Sequence, residues 1–200
     1  MRVVLATHNS HKADEFQRIL AASVPGLEIV AYEGPEPVED GVTFAANALI
    51  KARVAAAHTG LPALADDSGI CVDVLGGAPG VFSARWSGRH GDDAANLHLL
   101  LDQLVDVPDE HRAAHFSCTI AFVSGSTETT VEGVWPGELA RVARGDNGFG
   151  YDPIFLPAGE GGASAAELDP QRKNTVSHRA RAFALIEPVL RASCTDLDRC

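Results

Sequence analysis

No apolar run in this chain approaches the roughly 20 residues needed to cross a bilayer. Met1-Arg2-Val3-Val4 enters a strand pattern at once, so a signal peptide is not expected. A membrane partner is therefore not expected, and the cytoplasm is the expected compartment. The phosphate-binding motif G-x-x-x-x-G-K-S/T is missing too, which excludes that nucleotide-binding class. So is D-x-D-x-T/V after the first strand, the spacing a dehalogenase-like phosphatase would need. Cysteine is sparse: Cys71, Cys118, Cys194 and Cys200 show no metal-ligand spacing. Cys71 and Cys118 lie in apolar runs and read as reduced core residues, while the other two fall in a polar tail at about 193–200. Positive charge is short as well, with 16 Lys and Arg against 27 Asp and Glu, a net charge of −11. That balance argues against a broad nucleic-acid surface, although a small polyanion can bind where cations cluster. Repeats and low-complexity tracts are also missing.

Two hundred residues, 46% of them hydrophobic and 22% charged, suit one soluble domain or one with a small extra lobe. The chain is organised around Ala63 to Gly88, ALADDSGICVDVLGGAPGVFSARWSG. Asp66 and Asp67 follow a short apolar run and read as a strand end. Adjacent buried carboxylates are costly without cations or donors to meet. Side chains alternate along a strand, so at most one of the pair faces a given site. The plain alternative is a capped turn in which aspartate and serine bond their own backbone. A second apolar run, Ile70 to Val74, is interrupted by Asp73, and a glycine-rich turn follows at Gly76-Gly77-Ala78-Pro79-Gly80.

Ahead of that stretch, Val3 to Ala6 forms a short buried strand. Asn9 or Ser10 then caps a helix running through Glu15, Phe16, Ile19 and Leu20. A strand entering a helix N-terminus offers free N–H groups to an anion, and Lys12 in that first turn opposes the helix dipole unless an anion is bound. Leu27 to Ala31 is a second strand, and Tyr32 to Gly41 is a proline-rich acidic loop. Thr43 caps a helix through His58, closed by Gly60 and Pro62. On it Thr43, Asn47 and Lys51 share a face, which reads equally as the wet side or as a ligand-facing stripe. Further on, Asp92 caps a helix with Leu97, Leu100, Leu101 and Leu104, a structural element or a dimer face. Phe116 to Val123 and Thr129 to Trp135 form a hairpin around Gly125-Ser126, and Glu138 to Val142 is a candidate further strand. The loop Gly145 to Pro153 sets Phe149 and Tyr151 between glycines, suited to stacking on a flat base or to plugging the fold. Ser177 caps the last helix, placing His178 and Arg179 in its first turn.

Gathered together, these residues suggest a nucleotide site, and here the motifs become specific. T-x-N-x-x-K at 7–12, G-x-T-F-x-x-N-A-x-x-K-A at 41–52 and A-D-D-S-G at 65–69 are followed by G-A-P-G-V-x-S-A-R at 77–85. G-F-G-Y-D-P at 148–153 and S-H-R at 177–179 complete the set. In this order they resemble the inosine/xanthosine triphosphate pyrophosphatases (dITP/XTP pyrophosphatases), which hydrolyse non-standard purine nucleoside triphosphates. The likeness spans nearly the whole chain.

That resemblance implies an α/β fold, an elongated mixed β-sheet flanked by helices, with two lobes, the active site in the cleft, and a homodimer. It implies conversion of NTP and water to NMP and pyrophosphate, with Mg²⁺. Thr7, His8, Asn9, Ser10, His11 and Lys12 fall on phosphate-holding positions, and Lys51 falls on the phosphate lysine beside Asn47. Glu39 falls on a metal-ligand position, with Asp40 as the alternative one residue on, and Asp67 on the metal-linked general base. Ser68, Phe149, Gly150, Tyr151, Asp152, Lys173, His178 and Arg179 fall on nucleotide-contacting positions. His8 stands where a smaller residue is common, and Trp86 where tyrosine or phenylalanine often does. Two competitors stay open: a septum-inhibitor-type pyrophosphatase of modified pyrimidine nucleotides, against which S-H-R and G-F-G-Y-D-P argue, and a catalytically silent nucleotide-binding module.

Overall fold

The computed structural model describes residues 1–7, 16, 20 and 23–197. A mixed six-stranded sheet runs in the order β2-β1-β3-β4-β5-β6. Its strands are β1 (Arg2–Leu5), β2 (Glu28–Ala31), β3 (Ala63–Val72), β4 (Ala113–Ser124), β5 (Thr127–Leu139) and β6 (Phe155–Pro157). The helices are α1 (Phe44–Thr59), α2 (Asp93–Gln103), α3 (Pro170–Val176) and α4 (His178–Leu197). β1 pairs in parallel with β2 and β3, whereas β5 and β6 are antiparallel. The α/β expectation therefore holds, and the sheet is mixed as expected.

The chain divides into two compact units: 1–67, 118–133 and 182–200 form the first, and 68–117 with 134–181 the second. In the first unit the sheet is buried on both faces, and alternation sorts its side chains. Val3 and Leu5 of β1, Leu64 of β3, and Ile120 and Phe122 of β4 join a core with Phe16, Leu20, Phe183, Ile186 and Leu190. Val4, Ala63, Ala65, Ala121 and Val123 point the other way, onto Ala48, Ala52 and Ala55 of α1. The small residues on both sides let this helix lie close to the sheet, which brings its polar stripe within reach of β3. Thr43 caps α1 by accepting from the Ala46 N–H, and Gly60 closes it at φ +68°.

The second unit has its own core, in which Ile70 and Val72 pack with Leu97, Leu100, Leu104, Trp135, Ile154 and Phe155. Leu97, Leu100 and Leu104 are thereby core residues, with Leu101 partly buried against them. Arg112, which no sequence motif singled out, is buried with its guanidinium on the carbonyls of Leu104, Leu139 and Ala140. A charge with that many acceptors stays buried at tolerable cost.

Two expectations need correction. Asp66 and Asp67 do not end a strand, because β3 continues through Ser68-Gly69 to Val72. Gly69 is needed there: a Cβ would lie 2.5 Å from the Gly80 carbonyl and strike Ser83 Oγ. The backbone that comes close is the protein's own turn. Glu138 to Val142 is no separate strand, since β5 runs on to Leu139. α4 continues to Leu197. Cys71 and Cys118 are buried, both as thiols. No helix among the described residues is long and apolar enough to cross a membrane.

Candidate active site

In the first unit, alternation decides which aspartate can work. Ala63, Ala65 and Asp67 share the α1 face, while Asp66 points to the opposite side and is only 2% exposed. Across from Asp67 stand Asn47 and Lys51, one turn apart on α1. Asn47 Nδ2 donates to Asp67 Oδ2 at 3.1 Å, and Lys51 Nζ lies 3.6 Å from Asp67 Oδ1. From the acidic loop Glu39 brings Oε1 to 3.0 Å of the same ammonium. Asp40 is exposed, so Glu39 is the loop carboxylate that turns inward. Thr43, on the same stripe, serves as the helix cap.

Burial is the largest single influence on Lys51 and lowers its pKa. The combined pull of Asp67, Asp66 and Glu39 outweighs it, and the net shift is upward. Lys51 thus stays charged through neutral pH. Replacing it by alanine should lower kcat/KM for a triphosphate by on the order of 10²-fold. Near-wild-type kinetics for that variant would make it a surface charge only.

The donor set suits a hard divalent cation. Two carboxylates converge on one cationic point, and Asn47 Oδ1 is a buried oxygen with no hydrogen-bond partner among the described residues. Magnesium commonly takes one or two carboxylates and completes its shell with water and substrate phosphates. The described residues hold no cluster of three or more His, Cys, Asp and Glu side chains that could bind a metal by themselves. Thr7 follows β1, its N–H turned back to the Leu5 carbonyl. His8, Asn9, Ser10, His11 and Lys12, expected to hold phosphates, lie outside the described residues.

The second unit gathers the remaining expected residues around Phe149, a residue that is 53% exposed. Lys173 Nζ stands 5.6 Å from the ring centroid and the Arg179 guanidinium 5.3 Å. Both are within cation–π range. Lys173 also pairs with Asp152. Arg179 Nη2 donates to Ser68 Oγ at 3.3 Å, which gives an arginine in a first helical turn an acceptor. His178 is buried, stacked on Phe116 at 4.8 Å and 13° and on Trp135 at 6.3 Å. Tyr151 is buried too, and its hydroxyl donates to the Ser83 carbonyl at 2.8 Å. It is therefore a plug, whereas Phe149 is the ring presented outward.

The loop's own N–H groups are largely occupied. Phe149 N–H donates to Asp152 Oδ2 at 2.8 Å, Gly150 N–H to Asp93 Oδ2 at 2.9 Å, and Asp152 N–H to the Phe149 carbonyl. Asp93 escaped the sequence reading, which stopped at the neighbouring cap Asp92. Its only signal there was the doubled aspartate at the start of α2.

Comparison with known proteins bears on the whole of this arrangement. The model of the Ham1 family matches residues 3–189. A dITP/XTP pyrophosphatase of Leifsonia xyli subsp. xyli is 70% identical over 193 residues, covering 96% of each chain. Among solved structures, a HAM1 protein from Coxiella burnetii is 44% identical with a TM-score of 0.88, covering 95% of this chain and 98% of that one. A nucleoside-triphosphatase / dITP/XTP pyrophosphatase from Mycobacterium abscessus is 52% identical with a TM-score of 0.79, covering 93% and 98%. Likeness of this extent leaves a single assignment: the chain belongs to the Ham1 family.

Proposed function

We propose that this protein hydrolyses dITP, ITP and XTP to the monophosphate and pyrophosphate, with Mg²⁺, and so removes these nucleotides from the pool. The observation that carries the reading is the convergence of Glu39, Asn47 and Asp67 with Lys51. An acidic pair with one embedded lysine suits a polyanion accompanied by a divalent cation. The printed names of the relatives from Leifsonia xyli and Mycobacterium abscessus point the same way.

Glu39 and Asp67 would hold the metal, which when bound polarises the phosphate oxygens and acidifies water. Asp67 takes the proton of the attacking water as its oxygen bonds to the α-phosphorus and the bond to pyrophosphate breaks. Lys51 offsets the negative charge that collects on the departing pyrophosphate, a role proposed for Lys12 as well. Asn47 keeps the Asp67 carboxylate in one orientation. Phe149 stacks on the purine, flanked by Lys173 and Arg179. The protein acts as a cytoplasmic homodimer in this reading.

Pyrophosphate release decides the matter. Purified protein mixed with dITP or XTP should release one pyrophosphate per monophosphate formed, and should stop when EDTA removes the metal. Nucleotide binding without release would mean a silent binding module, and a preference for modified pyrimidine triphosphates would mean the septum-inhibitor type.

A further inference from the structure

Within the segment 148–152, three successive residues are held by different devices. Phe149 N–H is fixed from inside the loop, by Asp152. Tyr151 is fixed by its buried hydroxyl on the Ser83 carbonyl. Between them Gly150 sits at φ +60°, in the left-handed region, and Gly148 at +79°. Two glycines of that kind give the backbone several alternatives of similar energy. What selects one for Gly150 is a side chain from another element, the Asp93 carboxylate, which accepts its N–H at 2.9 Å. Asp93 is the first residue of α2, where the helix dipole favours a negative charge. The helix start itself is capped by the neighbour, Asp92, which accepts from the Ala95 N–H. Asp93 is thus spare for the helix and engaged with the loop.

We propose that Asp93 is a positioning residue for nucleotide recognition, fixing through Gly150 N–H the loop that presents Phe149 beside Lys173 and Arg179. The inference rests on the function proposed above and adds to it a residue outside all six motifs. Loss of the carboxylate lets the loop sample other conformations, so that substrate binding must select the competent one. The chemistry at Asp67 is untouched. A single charge-assisted hydrogen bond of this kind corresponds to roughly a tenfold change in an equilibrium.

The test uses full-length protein with Mg²⁺ and four variants. Asp93→Ala should raise KM for dITP about tenfold with kcat within about threefold, the pattern of weakened binding. It should also narrow the preference for dITP over dATP. Asp93→Asn, whose amide oxygen still accepts, should recover most of the loss. Asp92→Ala should lower Tm by several degrees through the lost cap while moving KM less than about twofold. Hydrogen exchange of 148–152 in the substrate-free protein should quicken in Asp93→Ala, independently of any activity. If Asp93→Ala does not accumulate folded, Asp93→Ser, which starts a helix well but is too short to reach the loop, gives the same readings. Unchanged KM and unchanged exchange overturn the proposal. So does a fall in Tm and kcat together, without loss of selectivity and without rescue by asparagine. Wild-type protein that releases no pyrophosphate defeats the functional reading instead, and the exchange measurement still reports whether Asp93 holds the loop.

Discussion

Asp67→Asn is expected to lower kcat for dITP by on the order of 10²-fold or more while the protein stays folded. Asparagine matches aspartate in shape and keeps an oxygen for Asn47 Nδ2, so the packing of β3 on α1 survives. What it lacks is the ability to take a proton from water and the charge that would help hold a metal. Asp66→Asn is the control. Its side chain is on the opposite face of β3 and buried, so its replacement should act on the unfolding midpoint and leave the folded fraction's kcat much less changed. Steady-state kinetics and thermal unfolding of both variants separate the roles. If Asp66→Asn is the more damaging to kcat at equal stability, the assignment of the pair is reversed.

The second large effect concerns the base. Inosine and xanthosine carry an oxygen acceptor at position 6, where adenine carries an amino donor. Since the N–H groups of Phe149, Gly150 and Asp152 already have acceptors, the first and last inside the loop and Gly150 on Asp93 of α2, the group proposed to read that oxygen is Arg179, which only donates. Adenine would set its amino group against the guanidinium, a mismatch that can reach about 10⁴ in kcat/KM. Guanine shares the 6-oxygen, so it must be rejected at its 2-amino group. The expected order is therefore inosine and xanthosine triphosphates well ahead of ATP and GTP, with Arg179→Ala losing efficiency on the preferred pair. Measured kcat/KM values for all four substrates decide it, and similar values would mean the purine edge goes unread.

Much of this was legible in the sequence because the relevant patterns are strong. The alternation of Val3, Val4 and Leu5 and the alanine spacing of 48, 52 and 55 mark a strand and a helix face without any structure. Caps at Thr43, Gly60 and Asp92 fixed boundaries because each carries a specific hydrogen bond. The losses have physical causes too. Ser68-Gly69 looked like a turn because glycine serves both turns and close approaches, and only the position of Ser83 distinguishes them. β6 is three residues long and α3 seven, too short for periodicity to build up, although Asp169-Pro170 was a readable start. Tyr151 and Phe149 look alike in sequence, and one is a buried plug while the other is exposed. Asp93 could not be found because its partner is a backbone amide 57 residues away.

The first unit draws on three separated stretches of chain, and this has a bearing on biosynthesis. Val3 and Leu5 share a core with Phe183, Ile186 and Leu190. At about 5–20 residues per second on a ribosome, the helix that covers β1 emerges on the order of ten to forty seconds after it. The second unit, ending at Arg181, has all of its residues made before α4 is complete. During that interval the earliest strand is an apolar surface awaiting its cover, the kind of exposure that chaperones recognise. The order of synthesis thus runs against the order in which this core can close, since β1 is made well before the α4 residues that cover its Val3 and Leu5 face.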